Sequence, residues 1–205
     1  MSTIIGAIIA GGASRRFGTP KALAEVGGRR VVDRVADALR AALEHDDIIA
    51  IVNDDDLAQQ IGLPHRSDVI PGAGALGGVH AALHYARERG ADGVLAVACD
   101  MPFLSPALLH TILAARAGHD VVIPESEGRR GVEPLCAYYD VRCMDAIERA
   151  LSRGDARMIG FHDGVDVERI TLSALRAFGD PGTLFMNLNT PADRERAEEI
   201  AGGGS

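Results

Sequence analysis

One doubly wound, mostly parallel α/β sheet, in three α/β/α layers, is the architecture that this sequence predicts. Three observations lead there. The apolar runs Ile4–Ala10, Ile48–Val52 and Gly93–Cys99 are nearly unbroken, as in strands covered on both faces. Helix-patterned segments fall between them, the alternation that joins parallel strands by right-handed crossovers. The runs end in turn residues, Gly11-Gly12 after the first and Asp100-Met101-Pro102 after the last, where ligands of such sheets bind.

Taken in order, Ile4–Ala10 is the first strand, and Arg29–Leu43 is an amphipathic helix with Val32, Val35, Ala36, Leu39 and Leu43 on one stripe. Ile48–Val52 is the second strand. Asn53 follows it, and the acidic run Asp54–Asp56 reads as a solvated loop. Ser67–Ile70 is a brief third strand, Pro71–Ala75 a Gly-rich turn, and Leu76–Arg89 a helix with Val79 and Leu83 facing inward. After the fourth strand, Gly93–Cys99, Ser105 is suited to cap a helix running through Ala115, because its hydroxyl can accept from the free N–H groups of the first turn. Asp120–Ile123 is the fifth strand.

Beyond it the alternation loosens. Glu125–Gly131 is a polar loop, Leu135–Tyr139 alternates like a strand, and Val141–Leu151 and Arg157–His162 read as helices. Val167–Leu172 and Thr183–Leu188 read as strands, and a last helix follows Asn189-Thr190-Pro191 and ends near Ile200. With no repeat and no low-complexity linker, residues 1–201 are expected to form a single domain and Gly202–Ser205 a flexible tail.

The totals exclude several classes. With 21 Lys and Arg against 29 Asp and Glu, the net charge of −8 is opposite to the basic surface of a nucleic-acid binder. Ile4–Ala10 is too short to cross a bilayer, and no basic segment precedes a long apolar one. The three cysteines are odd in number and lack CxxC spacing, which speaks against a disulfide framework or structural zinc. A cytoplasmic protein with no membrane or nucleic-acid partner is expected.

Positive charge is instead local. Gly11-Gly12 lets backbone N–H groups approach an anion without a Cβ in the way, and Arg15, Arg16 and Lys21 follow on the same short segment. That concentration suits a triphosphate. The loop is not a Walker A motif, since Pro20 precedes Lys21 and Ala22 follows it. In a sheet of order 3-2-1-4, the ends of strands one and four flank the switch point, so the glycine loop and Asp100 are expected to face each other. A carboxylate there suits Mg²⁺, which takes one or two carboxylates together with phosphate oxygens. Capping is the other reading of Asp100, but Ser105 is the better cap.

Other features stay open. Gly72–Gly77 matches GxGxxG and permits a dinucleotide such as NAD, although that leaves Arg15, Arg16 and Lys21 without a role. Asn189 is either a neighbour of the metal's waters or an Asx turn before Pro191. His80 and His84 have the i, i+4 spacing of a zinc pair; with no third ligand evident, they read as helix surface. Arg129 and Arg130 are either solvated or contacts for an anionic acceptor.

The run Ile9-Ala10-Gly11-Gly12-x-x-Arg15-Arg16-Phe17-Gly18-x-x-Lys21 resembles the N-terminal signature of nucleotidyltransferases, most closely the molybdenum cofactor guanylyltransferases (the MobA family). Asp68, Gly74–Gly78, Cys99-Asp100-Met101-Pro102, Pro134-Leu135-Cys136-Ala137 and Asn187-Leu188-Asn189-Thr190-Pro191 extend the resemblance across residues 4–191. Glu133 departs from the family's usual His or Gln. The resemblance implies a Rossmann-like fold and transfer of GMP from GTP to the phosphate of molybdopterin, with Mg²⁺ required and pyrophosphate released. It implies that Ile9, Ala10, Gly11 and Gly12, with Lys21, Asn53, Asp68 and Asp100, bind the nucleotide, and that Asp100 holds the metal. Arg16, Lys21 and Asp100 are the expected catalytic groups. Proteins that deliver or accept the cofactor are the expected macromolecular partners. Two rivals stay open: CMP transfer to the same cofactor, and a non-catalytic nucleotide- or NAD-binding module on Gly72–Gly77.

Overall fold

Every residue of the first strand, β1 (Ile4–Ile9), is buried, because β1 has a parallel strand on each side and a helical layer on each face. The computed structural model describes residues 3–11 and 20–203. After β1 the described chain resumes in a 3₁₀ turn, Lys21–Leu23, forms a small hairpin of β2 (Glu25–Val26) and β3 (Arg29–Arg30), and enters α1 (Val31–Leu43). β4 (Ile48–Ile51), α2 (Asp55–Ile61), β5 (His65–Arg66), α3 (Gly74–Glu88), β6 (Gly93–Ala98) and α4 (Pro106–Ala114) complete the regular part. β7 (Val121–Pro124), β8 (Cys136–Asp140), α5 (Met144–Ser152) and β9 (Val167–Ile170) follow, then the one-turn helices α6 (Leu172–Leu175) and α7 (Pro181–Leu184), and α8 (Pro191–Gly202).

Among the described residues, seven strands form one sheet in the order β5-β4-β1-β6-β8-β7-β9. The four on the β5 side are parallel and have the expected 3-2-1-4 order. β8 enters antiparallel between β6 and β7, which is where the strand–helix alternation of the sequence loosens. The strands' two-residue period divides the core. Ile4 and Ile8 of β1 pack with α1 and α4 on one face, whereas Ile5, Ala7 and Ile9 pack with α3 and α5 on the other. α1 lies so close that a Cβ added at Gly6 would stand 3.0 Å from Leu43 and 3.4 Å from Leu39. No helix among the described residues is long and apolar enough to cross a membrane.

Several local expectations are corrected. Asp54–Asp56 is not a loop: the Asp54 side chain accepts from the Leu57 N–H and caps α2, and the acidic first turn suits the helix dipole. The third strand is His65–Arg66, not Ser67–Ile70, because Asp68 N–H is taken by the Asn53 side chain instead of a ladder partner. Thr183–Leu188 is not a strand. Asp180 caps and Pro181 opens the one-turn α7, and proline at the first position of a helix costs no hydrogen bond. Arg157–His162 forms turns, with a 3₁₀ turn only at His162–Gly164. The helix expected from Arg29 starts at Val31, its first two residues being β3. Ser105 caps α4 as expected, accepting from Leu108 N–H. The terminal helix extends through Gly202, into the stretch expected to be a flexible tail.

Leu39 is fully buried where α1 rests on β1 and Gly6. Leu39→Ala is expected to lower unfolding free energy by about 2–5 kcal/mol, read as a shift in urea midpoint with the slope unchanged.

Candidate active site

The site grows from sheet register. β1 and β6 pair in parallel with Ile9 opposite Ala98, and Cys99 N–H donates to Ile9 O at 3.3 Å. Both strands therefore end at one level, and the chain leaving each turns into the same space. Ile9, Ala10 and Gly11 line one wall of a cleft of about 250 Å³, and Cys99 and Asp100 another. Lys21 and Ala22 arrive from the 3₁₀ turn, Leu57 from α2, and Leu135 and Asn187 from the later chain.

Lys21 and Asp100 meet across this cleft. Lys21 Nζ lies 3.5 Å from Asp100 Oδ2, with both side chains largely shielded. Lys21 also donates to Asn189 Oδ1. Asn189 is thus not an Asx turn; its own N–H and that of Thr190 both donate to Asp193, inside the capping box that starts α8. Burial pushes the Asp100 carboxyl above the ordinary aspartate range, and the nearby Lys21 ammonium pulls it back only in part. The Cys99 thiol is pushed up to about 12 by burial and stays neutral. Glu133 is likewise raised by burial, with opposing help from the Leu135 N–H and the Arg130 charge.

Asn53 and Asp68 stand further along the same row of strand ends, after β4 and β5. Asn53 Nδ2 donates to Asp68 Oδ2 and Asp68 N–H donates to Asn53 Oδ1, each at 2.7 Å. A Cβ added at Gly78 would lie 2.8 Å from Ile9 and 3.8 Å from Asp68 Oδ1, so the first turns of α3 press against this row. Reading from the sheet edge, Asp68, Asn53, Ile9–Gly11 and Asp100 follow one another. Gly12, Arg15 and Arg16 lie outside the described residues. Arg129 and Arg130 are exposed in the turn before Val132 and do not line the cleft. Leu57, Leu135 and Asn187 line it; Leu57 carries no signal of its own in the sequence, where only the acidic run Asp54–Asp56 before it draws a reading, as a loop.

A model of the MobA-like NTP transferase domain matches residues 6–166. The chain belongs to the MobA-like NTP transferase family. Relatives of full length agree. The chain is 38% identical to a probable molybdenum cofactor guanylyltransferase of Pelotomaculum thermopropionicum, covering 96% of this chain and 92% of that one. It is 37% identical to a molybdenum cofactor guanylyltransferase of Desulfosudis oleivorans, covering 97% and 96%. Among solved structures it is similar to molybdopterin-guanine dinucleotide biosynthesis protein A of Archaeoglobus fulgidus, with a TM-score of 0.78 and 28% identity over 98% of this chain and all of that one. The glycines at 72–77 are accounted for by turn and packing: Gly72 has φ of +80°, and a Cβ at Gly77 would strike Ala73 at 2.7 Å.

A carboxyl raised by burial makes a stability prediction with a definite sign. Its contribution is greatest below the unfolded aspartate pKa and is lost as pH rises through the higher folded value. Asp100→Asn, an isosteric neutral replacement, should therefore make the ligand-free protein more stable than wild type at pH 7. The gain should vanish toward pH 3, as followed by thermal melts across pH.

Proposed function

We propose that the chain transfers GMP from GTP to the phosphate of molybdopterin and releases pyrophosphate, acting in the cytoplasm as one domain over residues 1–201. The observation that carries this reading is the meeting of Lys21 and Asp100 over the paired ends of β1 and β6, in a chain of the MobA-like family. The names of its guanylyltransferase relatives support the choice of GTP and molybdopterin.

The attacking group is an already ionised phosphate, so no general base is required. The obstacle is electrostatic, because two anions must meet and a third must leave. The Ala10 N–H is taken by Ile51 O, so the backbone N–H of Gly11, with that of Gly12 next in sequence, is the one that meets the polyphosphate. Lys21, with Arg16 from the same loop, offsets the charge that builds on the departing pyrophosphate. Asn189 holds the Lys21 ammonium in place through its Oδ1. Asp100, one shielded carboxylate beside the cleft, fits the donor set of Mg²⁺, which completes its shell with water and phosphate oxygens. An ion held by Asp100 would supply Lewis-acid polarisation of the α-phosphoryl group.

Asp68 and Asn53 are placed to choose the base. Guanine carries two adjacent donors, N1–H and the 2-amino group, on one edge, and a carboxylate accepts such a pair in bidentate fashion. Asn53, hydrogen-bonded twice to Asp68, fixes that carboxylate's orientation.

Incubation with molybdopterin, Mg²⁺ and each nucleoside triphosphate, followed by mass analysis, tests the reading. The guanine dinucleotide is expected; a cytosine product would move the chain to the sister reaction, and no product with any triphosphate would overturn it. Lys21→Ala and Asp100→Ala should each lower turnover by about 10²–10³. Asp68→Ala should reduce the preference for GTP over CTP by about 10- to 100-fold, measured by competition in a pyrophosphate-release assay.

A further inference from the structure

On the opposite face of the sheet from α1 and α4, the expectation that His80 and His84 are helix surface fails. His80 is only 2% exposed, and α5 brings a third donor to the pair. Glu148 Oε1 lies 3.2 Å from His80 Nε2 and 3.7 Å from His84 Nε2. The rings of His80 and His84 are 4.6 Å apart at an angle of 81°, so neither blocks the other's nitrogen. All three ligand atoms fall within 4.8 Å of one another. None of the three residues lines the cleft described above.

We propose that His80, His84 and Glu148 bind one divalent cation of the zinc class and staple α3 to α5. Two imidazoles and a carboxylate are a borderline-soft set that selects Zn²⁺ or Co²⁺ over Mg²⁺. A tetrahedral ion with bonds of about 2.0–2.1 Å spaces its ligands about 3.3 Å apart, close to both distances from Glu148. The fourth position is open to water, as in other His₂Glu zinc sites.

His80 Nε2 is within hydrogen-bond distance of Glu148 Oε1, while its buried Nδ1 has no partner among the described residues. Coordination replaces that single hydrogen bond with a stronger contact to the same nitrogen. Arg87 Nη2 lies 3.4 Å from His84 Nδ1; with the ion on Nε2 the imidazole proton would sit on Nδ1, and the exposed Arg87 side chain would have to turn away from it. Without an acceptor on His80 Nδ1, affinity should fall about 10- to 100-fold below that of a fully supported site.

The test uses the full-length, metal-stripped protein in excess Mg²⁺, which keeps oxygen-only sites filled. Calorimetric titration with Zn²⁺ should give one saturable equivalent, with a Tm that rises with free Zn²⁺. Co²⁺ should give the visible absorption of a four- or five-coordinate ion. Glu148 and His84 are 46% and 26% exposed, so their replacement leaves the fold intact. His84→Ala and Glu148→Gln should each weaken binding by more than the roughly 10–100-fold of an outer-partner loss, with the metal-free Tm close to wild type. Absence of saturable Zn²⁺ binding, or an equivalent bound with wild-type affinity in either variant, would overturn the assignment. Neither result bears on guanylyl transfer, because Lys21 and Asp100 are untouched.

Discussion

The in-register parallel pairing of β1 with β6 is the constraint from which the active site follows. Because Ile9 stands opposite Ala98, Gly11 and Asp100 leave the sheet at the same height and share one cleft. A register slip of one residue would turn Ile5, Ala7 and Ile9 toward the wrong helical layer. The two hydrophobic layers that enforce the pairing are therefore also what aims the chemistry. β8 extends the sheet beyond β6 without disturbing that pair.

Around this frame the chain manages a buried charge. The Asp100 carboxyl sits where burial disfavours its ionised form, and an uncompensated buried anion is costly. Lys21 offsets part of that cost. Lys21 is in turn held by Asn189, whose position depends on the capping box of α8. The last helix thus steadies a cation near the start of the chain. Leu188 N–H donating to Asp100 O at 3.2 Å adds a second tie between the same two regions. The segment Asn187-Leu188-Asn189-Thr190-Pro191 has a physical task here: it joins helix capping to the placement of a charge.

Long-range contacts of this kind recur. Asn53 and Asp68 lock to each other, and α3 brings His80 and His84 to a glutamate on α5. In each case one partner's local pattern looked ordinary. Asp54–Asp56 looked like a solvated run because three consecutive acids carry no apolar period; its capping role depends on the seven-residue helix that follows. Thr183–Leu188 looked like a strand because apolar residues crowd a short window, yet Asp180 and Pro181 start a helical turn there.

What could be read from the residues alone was whatever rests on local periodicity and local charge. The central strands, the order of the first four, the cap at Ser105, the turn at Gly11, Lys21 and the acid after β6 all announce themselves within a few residues. Their convergence on one cleft follows from topology, which makes parallel strand ends neighbours. The partners of individual side chains were settled by packing: Lys21 with Asn189, His80 with Glu148, and Leu57 in the cleft wall. Such pairs join residues far apart in the chain, and no short window of sequence holds the distance between two surfaces that meet only when layers close on a sheet.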